Sequence, residues 1–421
     1  MKLIKTTLFS SIITFIRIAT GFISNKVVAI FVGPSGIAIL GQFVNFFNIA
    51  LTFSNGAIST GVIKYTAEFE NDKKQLKKLM NTSLMITLYS SLITAFFLIV
   101  FSSSISKYLF STNFYSKPIF YIGLTVIFYS LNNLILSVLN GIGDIKKYTL
   151  INSIGSLFGL FLTILLVYYY NIIGAIYSLV FAQAVVFFFS LILVTKKSWF
   201  TSNYFNLKID FVILKKLSHF SLMAIVASLT LPISQIFLRN MLTSRFGIEE
   251  AGIWQGMMRI SDGYLLLITT SLSVYYLPKL SSICNDNLKL KQEIFSGYRI
   301  IIPTILTTEL IIFLFKKNII QLLFSSDFNQ MSTLFFWQLS GDFLKIIAWV
   351  LSYLLLARSM TKIFIFSEIL FSISYVVLGY VFTKYFNLKG ISIAFCVNYL
   401  FYFLYMIYIF RDIIFLKHEL E

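Results

Sequence analysis

The chain has 421 residues, of which 58% are hydrophobic, 18% aromatic and 12% charged; its net charge is +17 and its mean hydropathy +0.85. Soluble domains carry about 25% charged residues, so this chain has half the charge needed to cover a globule. That excludes a soluble enzyme, a disordered protein and a nucleic-acid-binding domain, and leaves an all-α polytopic membrane protein. The positive start (Met1, Lys2, Lys5) runs into apolar sequence from Leu8 that continues past Ile30 with no small-residue cleavage site. It reads as an uncleaved first helix. A span needs about 20 mostly apolar residues. Gly33-Pro34-Ser35-Gly36 interrupts the first long apolar stretch and places two helices at 7–31 and 37–62. Leu79–Ser106 and Pro118–Gly143 follow, and Tyr148–Thr195, too long for one crossing, divides at Asn171–Gly174. A seventh helix reads Leu217–Leu238, and the rest fall at 251–277, 298–315, 332–357, 363–383 and 389–410, twelve in all. Pro232 and Pro303 each remove a backbone donor and are expected to kink their helices.

Short-loop Lys and Arg residues set the orientation. With the N-terminus inside, 22 of them fall in cytoplasmic segments and 8 outside. Both termini are therefore expected in the cytoplasm of a multi-pass protein. Leu109-Phe110-Ser111-Thr112-Asn113-Phe114 is repeated 214 residues later as Leu323-Phe324-Ser325-Ser326-Asp327-Phe328, and Gly36-Ile37 recurs as Gly252-Ile253. Two features at nearly one offset indicate a duplication in parallel orientation. The expected organisation is two pseudo-symmetric six-helix lobes around a central cavity. They are an N-terminal lobe at 1–200, a cytoplasmic linker at 201–216, and a C-terminal lobe at 217–421 with a short cytoplasmic tail.

Charges inside spans are the candidates for function, since each costs about 2.5–3.5 kcal/mol at mid-bilayer on insertion scales. The candidates are Arg17, Lys26, Arg259, Asp262, Glu309, Asp342, Lys345 and Glu368. Arg259 and Asp262 are three residues apart and share a helix face, as do Asp342 and Lys345. Either each pair neutralises itself, or both faces line a cavity where the cations meet an anion and the acids support them. Arg17 lies some three turns into its helix, ~15 Å from the headgroups and beyond snorkelling reach. Lys26 is nearer the outer end. Glu309 stands alone among apolar neighbours and could either carry a proton or pair with a cation. Gln42, Asn45, Asn48, Thr52 and Asn55 form a polar stripe on the second helix, and Asn132 and Asn133 add amides to the fourth. Such groups either stitch helices together or bind a polar substrate such as a sugar. Catalytic constellations, a phosphate-binding loop and metal-ligand spacings are missing, so no catalytic residue, metal or cofactor is expected. Cys284 and Cys396 make no disulfide framework.

Val32–Gly36, Gly61–Tyr65, Ala251–Gly256, Ser261–Leu265, Ser273–Pro278 and Trp337–Lys345 together resemble Wzx-type flippases of the multidrug/oligosaccharidyl-lipid/polysaccharide exporter superfamily. The likeness spans nearly the whole chain in order. It implies an undecaprenyl-pyrophosphate-linked oligosaccharide as cargo, moved to the outer leaflet of a bacterial inner membrane by alternating access, for O-antigen or common-antigen synthesis. The polymerase and glycosyltransferases of that pathway are the implied partners, beside membrane lipid. Lys64, Asp262, Asp342 and Lys345 fall in the matched blocks, whereas Arg259 stands where the family pattern has a small residue. The combined expectation has Arg17, Lys26, Lys64, Arg259, Lys345, Gln42, Asn45 and Asn48 binding the pyrophosphate and sugar. Asp262, Glu309 and Asp342 couple an ion or support the cavity. The alternatives are a drug or cation antiporter of the same fold, which wants a carboxylate-dominated cavity, and a membrane enzyme of polysaccharide assembly, which wants a large outside loop.

Overall fold

The structure, a computed structural model, describes residues 2–69, 72–195, 209–358 and 360–415. Residues 201–208 of the expected linker lie outside the described residues. The first helix, α1 (Lys2–Ser54), has 53 residues. At 1.5 Å per residue that is roughly 80 Å, against a hydrocarbon layer of about 30 Å, so it cannot be one crossing. It breaks at Gly33 (φ 72°, ψ −165°), and the following Pro34 has no amide hydrogen to continue the ladder. After α1 come α2 (Ser59–Glu68), α3 (Lys73–Val100), α4 (Ser102–Phe110) and α5 (Ser116–Ile142). The 50-residue α6 (Ile145–Val194) breaks at Asn171 (φ 51°, ψ −132°). Then follow α7 (Phe211–Phe246), α8 (Ile248–Ser271), a π-helical turn at Leu272–Tyr276 and α9 (Leu277–Ser282). Next are α10 (Asn287–Leu314), α11 (Lys316–Leu323) and a 3₁₀ segment at Ser326–Thr333. The chain ends with α12 (Phe335–Ala357), α13 (Thr361–Phe386), α14 (Lys389–Ile409) and α15 (Arg411–Ile414).

Among the described residues nine helices are long and apolar enough to cross a membrane. Two of them, α1 and α6, each break into two, and the 24-residue α8, with Arg259 and Asp262 inside it, is a further helix of spanning length. That tally is consistent with twelve crossings. Helix ends differ from the hydropathy reading in a regular way. α3 starts at Lys73 rather than Leu79, α7 at Phe211 rather than Leu217, and α10 at Asn287 rather than 298. Hydropathy marks where hydrocarbon ends, whereas the backbone ladder continues into water through Lys and Arg. α7 and α10 run through Pro232 and Pro303 as single helices.

The chain forms two compact units. Unit 1 is Met1–Val32 with Ile39–Ile236, and unit 2 is Gly33–Ala38 with Phe237–Glu421. Unit 1 is packed by Val62, Leu79, Leu139, Val186 and Leu217 in one cluster and by Phe43, Ile119, Ile122 and Val180 in a second. In unit 2 the main cluster runs through Leu280, Leu290, Leu354 and Met406. Large apolar side chains such as Phe96, Ile192 and Leu314 stay exposed on the outsides of their helices. In water this would be an aggregation surface; against hydrocarbon it is the matching solvent.

The duplication extends to backbone detail. Asp72 caps α3 by accepting from the Lys74 and Gln75 amides, and Asp286, 214 positions on, caps α10 by accepting from Lys289. α3 and α10 both end at a phenylalanine of nearly equal dihedrals, Phe101 (φ −99°, ψ 14°) and Phe315 (φ −96°, ψ 14°). The left-handed Asn171 of α6 has its counterpart in Asn387 (φ 50°) between α13 and α14. Three residues after each asparagine comes a glycine pressed on a carbonyl. A Cβ at Gly174 would lie 1.9 Å from the Leu166 oxygen, and one at Gly390 would lie 2.2 Å from that of Phe382.

Candidate functional site

The lower half of the polar stripe sits where α1 ends. α1 stops at Ser54, Gly56 (φ 61°) and Ala57 (φ 53°) turn the chain through the left-handed region, and α2 restarts at Ser59. A Cβ at Gly56 would lie 2.7 Å from Ile86, so glycine is required there for both space and dihedral. The non-glycine Ala57 at positive φ is strained, and such residues gather at ligand sites. Sequence reading placed one unbroken helix over this turn.

The break opens onto a cavity of about 760 Å³ lined from α1, α2, α5, α6 and α7, wholly within unit 1. Among the described lining residues Arg17 is the only charged one, and none is a carboxylate. Seven carboxamides line it. Three of these are tied into the wall: Asn132 accepts from Ser190 (2.6 Å), Asn133 donates to Ser59 (3.1 Å) and Asn152 donates to the Tyr148 carbonyl (2.8 Å). The Asn55 side-chain oxygen is buried without a partner among the described residues, and Asn48, Asn140 and Gln183 complete the lining. The Arg17 guanidinium makes no ion pair or hydrogen bond among the described residues and lies within electrostatic range of the Tyr129 hydroxyl.

Unit 2 holds a second polar feature. Asp342 on α12 is fully buried and accepts hydrogen bonds from Ser261 (2.6 Å) and Tyr264 (2.8 Å), both on α8. The Tyr264 hydroxyl also lies 3.5 Å from Glu309 on α10, and Gln338 lies 3.5 Å from the other Asp342 oxygen. Lys345, one turn beyond Asp342, is buried with its ammonium over the rings of Trp349 (5.0 Å), Tyr399 (5.6 Å) and Phe395 (5.9 Å). Among the described residues neither Asp342–Lys345 nor Arg259–Asp262 closes to an ion pair within 4 Å. The helical spacing brings each pair to one face, but tertiary partners take up Asp342 and Lys345 separately.

The remaining expected residues are spread out. Asn48 lines the unit 1 cavity. Gln42 and Asn45, higher on the same stripe, are buried and bonded, to the Leu109 carbonyl (3.3 Å) and to Gln235 (2.9 Å). Lys26 is half-buried and outside the cavity lining, and Lys64 is exposed, its ammonium 5.4 Å from the Tyr65 ring. Arg259 is half-buried and Asp262 exposed on α8. Sequence reading missed Asn140, Asn152 and Gln183, single amides with no stripe around them. It also counted Arg239 in an outside segment, whereas Arg239 is buried on α7, donates to Gln255 and lies 5.6 Å from the Trp254 ring. Its signal was the run of helix-compatible sequence from Leu238 to Phe246, which the charge rule cut short.

Residues 12–333 match the polysaccharide biosynthesis protein family over more than half of the chain. The chain belongs to that family. The lipid III flippases of Escherichia coli (strain K12) and Shigella flexneri are each 30% identical to it over 374 residues, covering 88% of this chain and 88% of theirs. The fold of this polysaccharide biosynthesis family member is that of multidrug resistance MATE transporters of the MOP superfamily. An inward-facing one superposes with a TM-score of 0.79 at 16% identity over 95% of this chain and 98% of that one. A Pyrococcus furiosus MOP transporter, described by a reversed polarity of its binding pocket, superposes with a TM-score of 0.73 at 17% identity, covering 97% of this chain and 96% of that one.

Proposed function

We propose that this family member is a flippase that moves a polyprenyl-diphosphate-linked oligosaccharide from the cytoplasmic to the periplasmic leaflet of a bacterial inner membrane. The observation that carries the reading is the unit 1 cavity, where Arg17, without an ion pair among the described residues, faces carboxamides and hydroxyls and no described lining residue is a carboxylate. A diphosphate wants a cation that holds it by a fork of N–H donors, and arginine supplies that geometry where lysine does not. Sugar hydroxyls want groups that both donate and accept, which carboxamides do. The polyprenyl chain is as apolar as lipid and stays in the bilayer. The names of the two flippase relatives support the same cargo class.

In this reading Arg17 holds the diphosphate, and Asn48, Asn55, Asn140 and Gln183 meet the sugar. Gln42 and Asn45 hold the wall in place, and Lys26 and Lys64 draw the anionic headgroup toward the protein from outside the cavity. Glu309, Tyr264, Asp342 and Lys345 are the coupling group. A tyrosine hydroxyl has one proton to give and here stands between two carboxyl groups, an arrangement that suits exchange of a proton during transport. Two six-helix lobes, 1–200 and 217–421, joined by the linker at 201–216, alternate access, with both termini in the cytoplasm. The pathway's polymerase and glycosyltransferases are the expected partners. A drug or cation antiporter of the same fold would need acids in the cavity, and the described lining residues include none.

The test is mass spectrometry of polyprenyl diphosphate lipids extracted from cells depleted of the protein. A complete oligosaccharide lipid is expected to accumulate. Wild type is expected to clear it, and Arg17→Ala and Lys345→Ala to clear it at least tenfold more slowly. No accumulation, with new sensitivity to cationic drugs, would replace the flippase by the antiporter.

A further inference from the structure

The Lys345 ammonium is buried among rings. Lys345 is 6% exposed on α12, and among the described residues its ammonium makes no hydrogen bond and no ion pair within 4 Å. What it meets are Trp349, one turn on, at 5.0 Å, and Tyr399 and Phe395 of α14 at 5.6 and 5.9 Å. Aromatic faces gathered around one point attract a desolvated cation and offer nothing to an anion. The packing shows how the cage is built. A Cβ at Gly341, one turn before Lys345, would collide with the Phe395 ring, so glycine lets that ring reach α12. Tyr375 of α13 meets Phe395 edge-on at 5.7 Å, and Tyr399 packs on it at 4.8 Å. The electrostatics point the same way. Asp342 and Asp262 both lie in the field of Lys345, Arg259 acting second on Asp262, and the field of Glu368 on α13 reaches Tyr399. Asp342 accepts from Ser261 and Tyr264, not from the ammonium. On the face of α14 that carries Phe395 and Tyr399, the side-chain oxygen of Asn398 is buried without a hydrogen-bond partner among the described residues. Acids nearby, ring faces and an unused acceptor are surroundings for a cation.

We propose that the cage of Trp349, Phe395 and Tyr399 is a site for a small organic ammonium cation, filled from within by Lys345. The inference rests on the flippase reading and deepens its coupling group. Lys345 is there as a fixed counter-charge to Asp342 and Glu309, and not as a ligand for the diphosphate of the cargo. A free cation would have to be recruited in every cycle, whereas a tethered one is always in place. With Lys345 cut back to alanine, free propylammonium supplies the carbons and the nitrogen that were removed.

Full-length protein in proteoliposomes, given undecaprenyl diphosphate bearing one N-acetylhexosamine, tests this. Lys345→Ala is expected to move the lipid at least about tenfold more slowly than wild type, the rate equivalent of one desolvated cation–ring contact. Millimolar propylammonium should restore most of that rate, and 1-propanol, of similar size without the charge, none of it. Lys345→Met fills the cage with an uncharged chain, so it should be as slow as Lys345→Ala and gain nothing from propylammonium. Adding Trp349→Leu to Lys345→Ala should remove the rescue. A second readout needs no transport: propylammonium should raise the unfolding temperature of Lys345→Ala and leave those of wild type and Lys345→Met unchanged. Absence of both the rescue and the temperature shift would overturn the proposal. So would loss of diphosphate-lipid binding by Lys345→Ala, which would make Lys345 a cargo ligand. If wild type moves no lipid but the temperature shift is present, the flippase reading has failed and the cage stands.

Discussion

A polar residue in a membrane helix is read by what it touches. The stripe Gln42, Asn45, Asn48, Thr52 and Asn55 is continuous on a helical wheel, yet Gln42 and Asn45 are spent inside the wall while Asn48 and Asn55 face the cavity. Tyr264 is the most exposed to test at this scale. Its hydroxyl serves the buried Asp342 at 2.8 Å and Glu309 at 3.5 Å. Tyr264→Phe removes the hydroxyl that donates to Asp342, leaving that buried carboxyl with Ser261 as its close donor, at a cost of about 1–3 kcal/mol. The expected outcome is a lower unfolding temperature in detergent together with a changed pH profile of transport. Unchanged values for both would mean that water takes the hydroxyl's place. Asp342→Asn should keep most of the fold, because an amide oxygen still accepts from Ser261 and Tyr264, while transport falls.

At the level of elements, the kinks and caps carry the argument. Gly390 packs on the Phe382 carbonyl so closely that a methyl group finds no room, and the atom it meets is backbone. Gly390→Ala therefore forces α13 and α14 apart and is expected to cost at least about 2 kcal/mol, read as lost folded yield and a lower unfolding temperature. Gly143, at positive φ but with open space around it, meets dihedral strain without a clash and serves as the comparison. At the start of α7, Asp210 accepts from the Val212 and Ile213 amides, and its carboxylate meets Lys78 of α3 at 2.7 Å. The Lys78 ammonium and these amides hold the Asp210 carboxyl below the usual carboxylate range. A lowered folded value means that the stabilisation is fully present above the unfolded value near pH 4 and is lost as pH falls through the folded one. The pair is partly exposed, so its worth is at most about 1 kcal/mol. Lys78→Met should lower the unfolding temperature at pH 7 and have progressively less effect below pH 4.

For the whole molecule, the charge asymmetry of the loops makes a prediction that labelling can check. A thiol at Asn113→Cys, in a background with Cys396→Ser, should react with a membrane-impermeant maleimide applied outside spheroplasts. The native Cys284 should react only after permeabilisation. The reverse pattern would invert the topology and with it the direction of export. The duplication is also a whole-molecule property. Asp72 and Asp286, Phe101 and Phe315, and Asn171 and Asn387 repeat the same local geometry in sequences that otherwise share little, because caps and kinks are set by one or two residues each.

Class, duplication and the break points at Gly33 and Asn171 were legible in the residues alone. Hydrophobicity over 20 residues, a Gly-Pro pair and a cap are local signals, and the bilayer turns them directly into structure. The resemblance to Wzx-type flippases reached the family from short blocks. Which polar groups meet in space was decided only by tertiary packing. Asp342 and Lys345 are one turn apart, yet one is held by α8 and the other by aromatic rings of α12 and α14. The unwound turn at Gly56–Ala57, the lone amides Asn140 and Gln183 that join the cavity, and the burial of Arg239 came from the same source. Helical periodicity tells which residues share a face, but a partner on another helix, contributed from a distant part of the chain, determines whether that face is wall, cavity or charge network.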